Sequence, residues 1–363
     1  MEPLLTRGFL THMPGSIKRI VVRAPNWVGD AVMSVAALRA LRRLLPDAHL
    51  TVMSKPGTAD IFAQADFVDE VLLYKRSGLN SFFAQAREWK RRQFDLAVLF
   101  QNAFEAAAIA FWARVPLRVG YDTEHRGFLL THPVSVPSWK NERHEVFYYL
   151  NLVNELERAL TGRSPNEHRE PEFQIAVSAE EQRHAQQLLA GGEAIRKPLV
   201  LLCPGSVNSR AKRWPAERYA ALADQFAERG ATIALIGSSN ELDVSQKVAA
   251  LAREQPLVLT GKTSVREIMA LISLADVLVT NDTGPAHIGA AMGTPTLVIF
   301  GPTNPLTTRP FGGAAEIVRR PPECAPCMLR DCPIDHRCMT AITPDDVFQR
   351  ARQIMRQRFE VSA

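Results

Sequence analysis

The residue types best suited to chemistry sit in a few short stretches of the chain. One runs from Asp276 to Pro305, DVLVTNDTGPAHIGAAMGTPTLVIFGPTNP. Val277 to Thr280 is apolar and β-branched, which suits a buried parallel strand. Asn281-Asp282-Thr283-Gly284 is a turn cluster, and Thr283 or Gly284 can cap a helix beginning there. Pro285 fits a first helical turn, where its missing N–H costs nothing. This order of strand, turn and helix aims backbone N–H groups at the C-terminal edge of a parallel sheet. Such a helix start is a ready anion site, and open α/β sheets bind ligands at that edge. A phosphate-bearing ligand is therefore expected, with Asp282 accepting sugar hydroxyls and His287 reaching the same ligand. The plainer alternative stands beside it: many α/β turns bind nothing, and a histidine there is often only a structural hydrogen-bonder.

A second stretch, Cys203-Pro204-Gly205-Ser206-Val207-Asn208-Ser209-Arg210-Ala211-Lys212-Arg213-Trp214-Pro215, follows an apolar strand at Leu199 to Leu202. It lacks the Gly-Lys-Ser/Thr ending of a P-loop. Ser206 still offers a hydroxyl and Lys212 a mobile point charge, which together suit a diphosphate. Further along, Glu241 starts a helix.

A third candidate, Asp30, follows Ala24-Pro25-Asn26-Trp27-Val28-Gly29 at the start of an amphipathic helix expected over 31–45. It reads either as an N-cap carboxylate or as a carboxylate held at the top of the first strand. The loop Arg118 to Gly127 adds Arg118 and Arg126, candidate anchors for an anionic acceptor or ordinary surface charge. Four of five cysteines cluster as Cys324-x2-Cys327-x4-Cys332-x5-Cys338. That spacing is short for a zinc ribbon, yet four thiols so close could hold zinc structurally.

These residues need a frame. Strand and helix patterns alternate through both halves, which implies parallel sheets with helices on both faces. The 363 residues exceed one ordinary core. Residues 1–16 read as a disordered leader and 17–160 as a first α/β domain. Polar, turn-rich 161–180 reads as a linker, and 181–343 as a second α/β domain. Residues 344–363 read as a final helix that packs back on the first domain. No apolar run approaches the ~18–20 residues of a membrane span. The start lacks a signal-peptide core, so a cytoplasmic location is expected. Net charge of +5 and a pI near 9.0 favour an anionic partner, and no nucleic-acid-binding signature is present.

Four blocks then carry a resemblance: RAPNWVGDAVMS (Arg23–Ser34), CPGSVNSRAKRWP (Cys203–Pro215), NDTGPAHIGAAMGTPTLVIFGPT (Asn281–Thr303) and CAPCMLRDCPIDHRCM (Cys324–Met339). From about Ile17 onward the chain resembles glycosyltransferase family 9, the bacterial heptosyltransferases. Its first and last blocks look most like the branch that adds the second heptose. The resemblance implies a GT-B architecture, two doubly wound Rossmann-like domains facing each other across a cleft. It implies inverting, metal-independent transfer from ADP-heptose to the first heptose of the lipopolysaccharide inner core, on Kdo2-lipid A. Asp30 matches the family's proposed general base, and Lys212 the lysine that neutralises charge near the departing diphosphate. Ser206, Thr283 and Gly284 would face the phosphates, Asp282 and His287 the heptose, and Glu241 the ribose. No cofactor would be required. The enzyme would work peripherally at the cytoplasmic face of the inner membrane. Alternatives are a family member with another acceptor, including the one that adds the first heptose, and a GT-B nucleotide-sugar epimerase.

Overall fold

A computed structural model describes residues 16–75, 78–163, 169–190 and 195–361. Nearly all of the expected leader lies outside the described residues, as does part of the expected linker. Contacts divide the chain into two compact units, Met1–Phe173 and Gln174–Ala363.

The first unit is built on β1 (Arg19–Arg23), β2 (His49–Ser54), β3 (Glu70–Leu73), β4 (Leu96–Leu99), β5 (Leu117–Tyr121) and β6 (His132–Val134). The second uses β7 (Leu199–Cys203), β8 (Thr232–Leu235), β9 (Leu257–Val258), β10 (Val277–Asn281), β11 (Thr296–Ile299) and β12 (Ala315–Val318). The sheet orders are β3-β2-β1-β4-β5-β6 and β12-β11-β10-β7-β8-β9. Read from its other edge, the second order repeats the first, and both are the doubly wound order with one reversal of direction.

All strand pairs are parallel: Val21 lies opposite Thr51 and Ala97, and Leu201 opposite Leu278 and Ala234. The central strands β1 and β7 are covered on both faces. Their continuous apolar runs, Ile20-Val21-Val22 and Val200-Leu201-Leu202, are fully buried, as sheets flanked by helices require.

Three local differences from expectation have physical causes. The helix expected over 31–45 is two helices, Val28–Met33 and Val35–Leu44. At the junction the Ser34 hydroxyl donates to the Ala31 carbonyl at 2.8 Å, a local bond that competes with the regular ladder. The strands β6 and β12 escape a pattern reading because they are short and at sheet edges, and β6 contains Pro133. The final helix, Pro344–Val361, was expected to pack on the first domain. It instead buries Val347, Phe348, Ala351 and Ile354 in the core of the second unit, with Phe348 edge-on to Phe226 at 4.8 Å. Its apolar stripe complements the helix Ala216–Ala227, which presents Tyr219, Leu222 and Phe226 to that core.

Candidate active site

Strand order reverses between β1 and β4, and again between β7 and β10. Loops leaving such a pair diverge and open a crevice at the C-terminal strand ends. In the second unit, β7 leads into the loop with Ser206 and Lys212, and β10 into the turn with Asp282, Thr283 and Gly284. The fold thus brings together residues some seventy positions apart, as the β7–β10 pairing dictates.

Lys212 Nζ donates to Asp282 Oδ2 at 2.8 Å and to the Asp282 carbonyl at 3.2 Å. Thr303 Oγ1 donates to the same Oδ2 at 2.6 Å, from the loop after β11. Asp282 is 4 % exposed. A buried carboxylate is costly unless paired and hydrogen-bonded, and this network supplies both. Lys212 keeps a quarter of its side chain exposed, so its charge can also meet a ligand from solvent.

Asn281 locks the two loops in register. Its Nδ2 donates to the carbonyls of Pro204 and Gly205 at 2.8 and 3.0 Å, and its Oδ1 accepts from Trp214 N–H and Tyr219 O–H, each at 3.1 Å. Thr283 is the N-cap residue of the helix Gly284–Ala291, with extended backbone. Its hydroxyl does not cap that helix but lies 3.2 Å from Thr280 Oγ1. His287 is buried within the same helix, and Ser206 is buried in its loop.

Glu241 is buried and completes a capping box: its Oε2 accepts from both N–H and O–H of Ser238 at 2.8 Å. A Cβ added at Gly205 would land on the Glu241 carboxylate. Glycine there lets the carboxylate lie directly against the β7 loop.

The cysteine-rich segment grips this site from behind. Ser209 Oγ donates to the carbonyls of Leu329 and Arg330 at 3.3 and 3.1 Å, and Ala211 N–H donates to the Arg330 carbonyl at 2.9 Å. His336 Nε2 donates to the Ala211 carbonyl at 2.6 Å, and Met328 N–H to the Pro302 carbonyl at 2.9 Å. One segment therefore holds both the Lys212 loop and the Thr303 loop. Structural zinc is one reading of the four thiols; among the described residues no three His, Cys, Asp or Glu side chains gather as a metal-binding group. Cys338 is turned into the core while Cys324 stays exposed. Burial, and then the neighbouring Cys332, Cys327 and Cys324, push the Cys338 thiol up to about 11.

In the first unit the β1 loop carries Asp30. Asp30 is not an N-cap: that place is held by Trp27, and Asp30 is in the first turn of Val28–Met33. Tyr149 O–H donates to Asp30 Oδ1 at 3.2 Å. Burial, and then the Asp30 charge, hold the Tyr149 phenol well above its ordinary range, so it remains a donor to the carboxylate. Arg23, at the end of β1, is buried and donates to Ala24 O at 2.5 Å and Asn26 Oδ1 at 2.8 Å. It lies 4.2 Å from the Tyr74 ring, and burial lowers its pKa to about 10. Arg23 thereby fixes the loop that presents exposed Trp27 and half-buried Asp30.

Arg118 and Arg126 are not the open anchors expected of them. Arg126 is 0 % exposed and donates to Tyr121 O, Gln101 O, Ala103 O and Asn102 Oδ1 at 2.9, 2.6, 3.2 and 3.0 Å. Burial lowers its pKa to about 10. Arg118 donates to Val115 O at 2.5 Å and Leu129 O at 2.7 Å. Both guanidinium groups are occupied by backbone carbonyls. Polar loops folded over a parallel sheet leave carbonyls in need of donors, and an arginine fork supplies several at once.

Sequence reasoning missed Asn281, Thr303 and Tyr149 as site residues. For Asn281 and Thr303 a signal existed: Asn281 ends β10 at the reversal, and Thr303 lies in the loop that follows the neighbouring strand β11. Tyr149, on the helix Glu145–Thr161, had none, because 119 positions separate it from Asp30.

The description "Glycosyltransferase family 9 (heptosyltransferase)" matches residues 82–337. The chain belongs to glycosyltransferase family 9. It is 28% identical over 313 residues to lipopolysaccharide heptosyltransferase 2 of Salmonella typhimurium, covering 83% of this chain and 88% of that protein. It is 28% identical over 360 residues to lipooligosaccharide heptosyltransferase 2 of Haemophilus ducreyi, covering 93% and 99%. The structure of ADP-heptose lipopolysaccharide heptosyltransferase II of Escherichia coli is similar with a TM-score of 0.81 at 25% identity, covering 94% of this chain and 99% of that one. Membership makes this family 9 chain a glycosyltransferase of two α/β units, in the GT-B class.

Proposed function

We propose that this family 9 enzyme transfers L-glycero-D-manno-heptose, with inversion, from ADP-heptose to the first heptose of the lipopolysaccharide inner core. The observation that carries the reading is the Lys212–Asp282–Thr303 network at the β7/β10 reversal. It supplies what a nucleotide diphospho-sugar asks for: a cation for the diphosphate and a fixed carboxylate for sugar hydroxyls. The similarity to relatives named heptosyltransferase 2, and to the ADP-heptose lipopolysaccharide heptosyltransferase II, supports this choice of donor and acceptor.

Asp30 is the general base. It takes the acceptor hydroxyl proton as that oxygen bonds to the anomeric carbon, while the bond from that carbon to the diphosphate oxygen breaks and its electron pair leaves with ADP. The Tyr149 hydrogen bond orients Asp30. Lys212 offsets charge on the leaving diphosphate. Ser206, Thr283 and Gly284 approach the phosphates, Asp282 with His287 the heptose, and Glu241 the ribose. A glycolipid acceptor of this kind calls for an enzyme working at the cytoplasmic face of the inner membrane.

The deciding experiment offers ADP-heptose with two acceptors, Kdo2-lipid A and Kdo2-lipid A bearing one heptose. A mass gain of one heptose on the second acceptor alone is expected. Gain on the first acceptor would instead assign the first-heptose reaction, and gain on neither would reject the proposed acceptor.

A further inference from the structure

The helix Phe104–Trp112 breaks the usual rule for a surface helix. Its sequence, FEAAAIAFW, carries one charge, Glu105. Ala106, Ala107, Ile109 and Ala110 face the core, yet Phe104, Phe111 and Trp112 are exposed. At about 100° per residue these three share one outward stripe, where polar side chains are normal. The stripe continues at both ends. Phe128, 74 % exposed, lies 6.2 Å from Phe104, and Phe83, on the helix Leu79–Arg92, lies edge-on to Trp112 at 5.9 Å. Five exposed aromatic rings thus form one connected surface, which soluble proteins seldom leave without a use.

The charge beside it has one dominant sign. Arg87, Lys90, Arg91 and Arg114 are exposed on the helix Leu79–Arg92 and the turn after Trp112. Glu88, the one carboxylate on that helix, is already paired with Arg91 and Arg92. The carboxylates gather at the other end: Glu124 accepts from Phe104 N–H, and Glu105 lies half-buried in the first turn of that helix.

We infer that this surface docks the enzyme on an anionic lipid bilayer, with the rings at headgroup depth and the cations on lipid phosphates. Aromatic rings interleaved with Lys and Arg are the composition that settles at a membrane interface. A second copy of the chain fits less well. A two-fold contact would place this surface on itself, cations against cations. The inference goes beyond the transfer reaction and rests on that reading only for the membrane residence of the acceptor.

The test is flotation of the full chain with vesicles of phosphatidylethanolamine, with or without phosphatidylglycerol, and no glycolipid or ADP-heptose present. The protein is expected to float with the anionic vesicles and to be released by about 0.5 M salt. The double variant Trp112→Gln/Phe128→Gln is expected to lower partitioning about tenfold. Lys90→Glu/Arg91→Glu is expected to remove the preference for anionic vesicles. Leu251→Ser, an exposed apolar position in the second unit, serves as a control and should float as wild type. Unchanged thermal midpoints certify the variants as folded. A wild-type chain that stays at the bottom of the gradient overturns the inference, as does an aromatic variant that floats normally. A dimer in sedimentation equilibrium that the aromatic variant dissolves would reassign the surface to self-association. Transfer by the wild type to detergent-dispersed acceptor is scored separately, so loss of flotation and loss of the proposed reaction are distinct results.

Discussion

At the β7/β10 reversal the charged side chains are paired across loops, lysine to carboxylate to threonine. At the β1/β4 reversal, with the same strand order, the arginines are turned inward onto backbone carbonyls. The carboxylate that the β1 loop presents is Asp30, which accepts from the Tyr149 phenol. Equal topology has therefore been filled with different chemistry. One crevice keeps a cation near solvent, as an anionic donor would need. The other uses its cations to stiffen loops and leaves a carboxylate at the lip, as a base would need. The lesson is that a strand reversal supplies a place, and side-chain pairing decides which ligand it suits.

Substitutions can break that contrast. Asp30→Asn keeps the shape and a hydrogen-bonding oxygen for Tyr149 but removes the proposed base. Turnover is expected to fall about 10²–10⁴-fold with ADP affinity unchanged by calorimetry. Near-normal turnover would remove Asp30 from the mechanism. Next in size is Arg126→Met, which strands buried carbonyl acceptors and should lower unfolding free energy by on the order of 3 kcal/mol. Denaturant titration reads this directly. Normal stability with a raised acceptor KM would restore Arg126 as an acceptor anchor.

Lys212→Ala should slow transfer about 100-fold and weaken ADP binding together, because the proposed role puts one cation in both steps. Thr303→Val should do the same more weakly, about tenfold, with Thr303→Ser recovering most of the loss. Steady-state kinetics with calorimetry separate the two effects, and a Lys212 variant with intact ADP affinity would contradict the diphosphate role.

The smallest effect sharpens the comparison through pH. Burial, then the Asp30 charge, raise the Tyr149 phenol above its unfolded value. The proton is therefore held more tightly in the folded state. Its contribution to stability is fully present below about pH 10, the unfolded phenol value. It is lost as pH rises from there through the folded value. Thermal midpoints above pH 10 should decline less steeply in Tyr149→Phe, and a slope equal to wild type would show that the phenol is not differentially protonated.

Much of this was legible in the chain itself. Val277 to Thr280 and Leu199 to Leu202 read as buried strands because nothing polar interrupts them. Asp282 and Lys212 stood in turn clusters directly after those runs. What escaped was information carried between distant segments. Arg118 and Arg126 look identical in sequence whether they face solvent or a cage of carbonyls, because the cage comes from residues up to 25 positions away. The destination of the final helix depended on the apolar face of the helix Ala216–Ala227, which the helix's own stripe does not reveal. The four thiols are close enough in sequence to suggest a metal, but Cys338 is drawn into the core with Met339.

That cysteine-rich segment has a consequence for how the β7/β10 crevice is held together. Leu329, Arg330 and His336 hold the loop of Lys212, and Met328 holds the loop of Thr303 through Pro302. A Cβ at Gly301 would strike Met339, so the second loop is seated against the same abutment. The two partners of Asp282 are thus mounted on a common base. Displacement of that base carries both in step, and the carboxylate feels a rigid shift of its surroundings rather than the loss of one partner at a time.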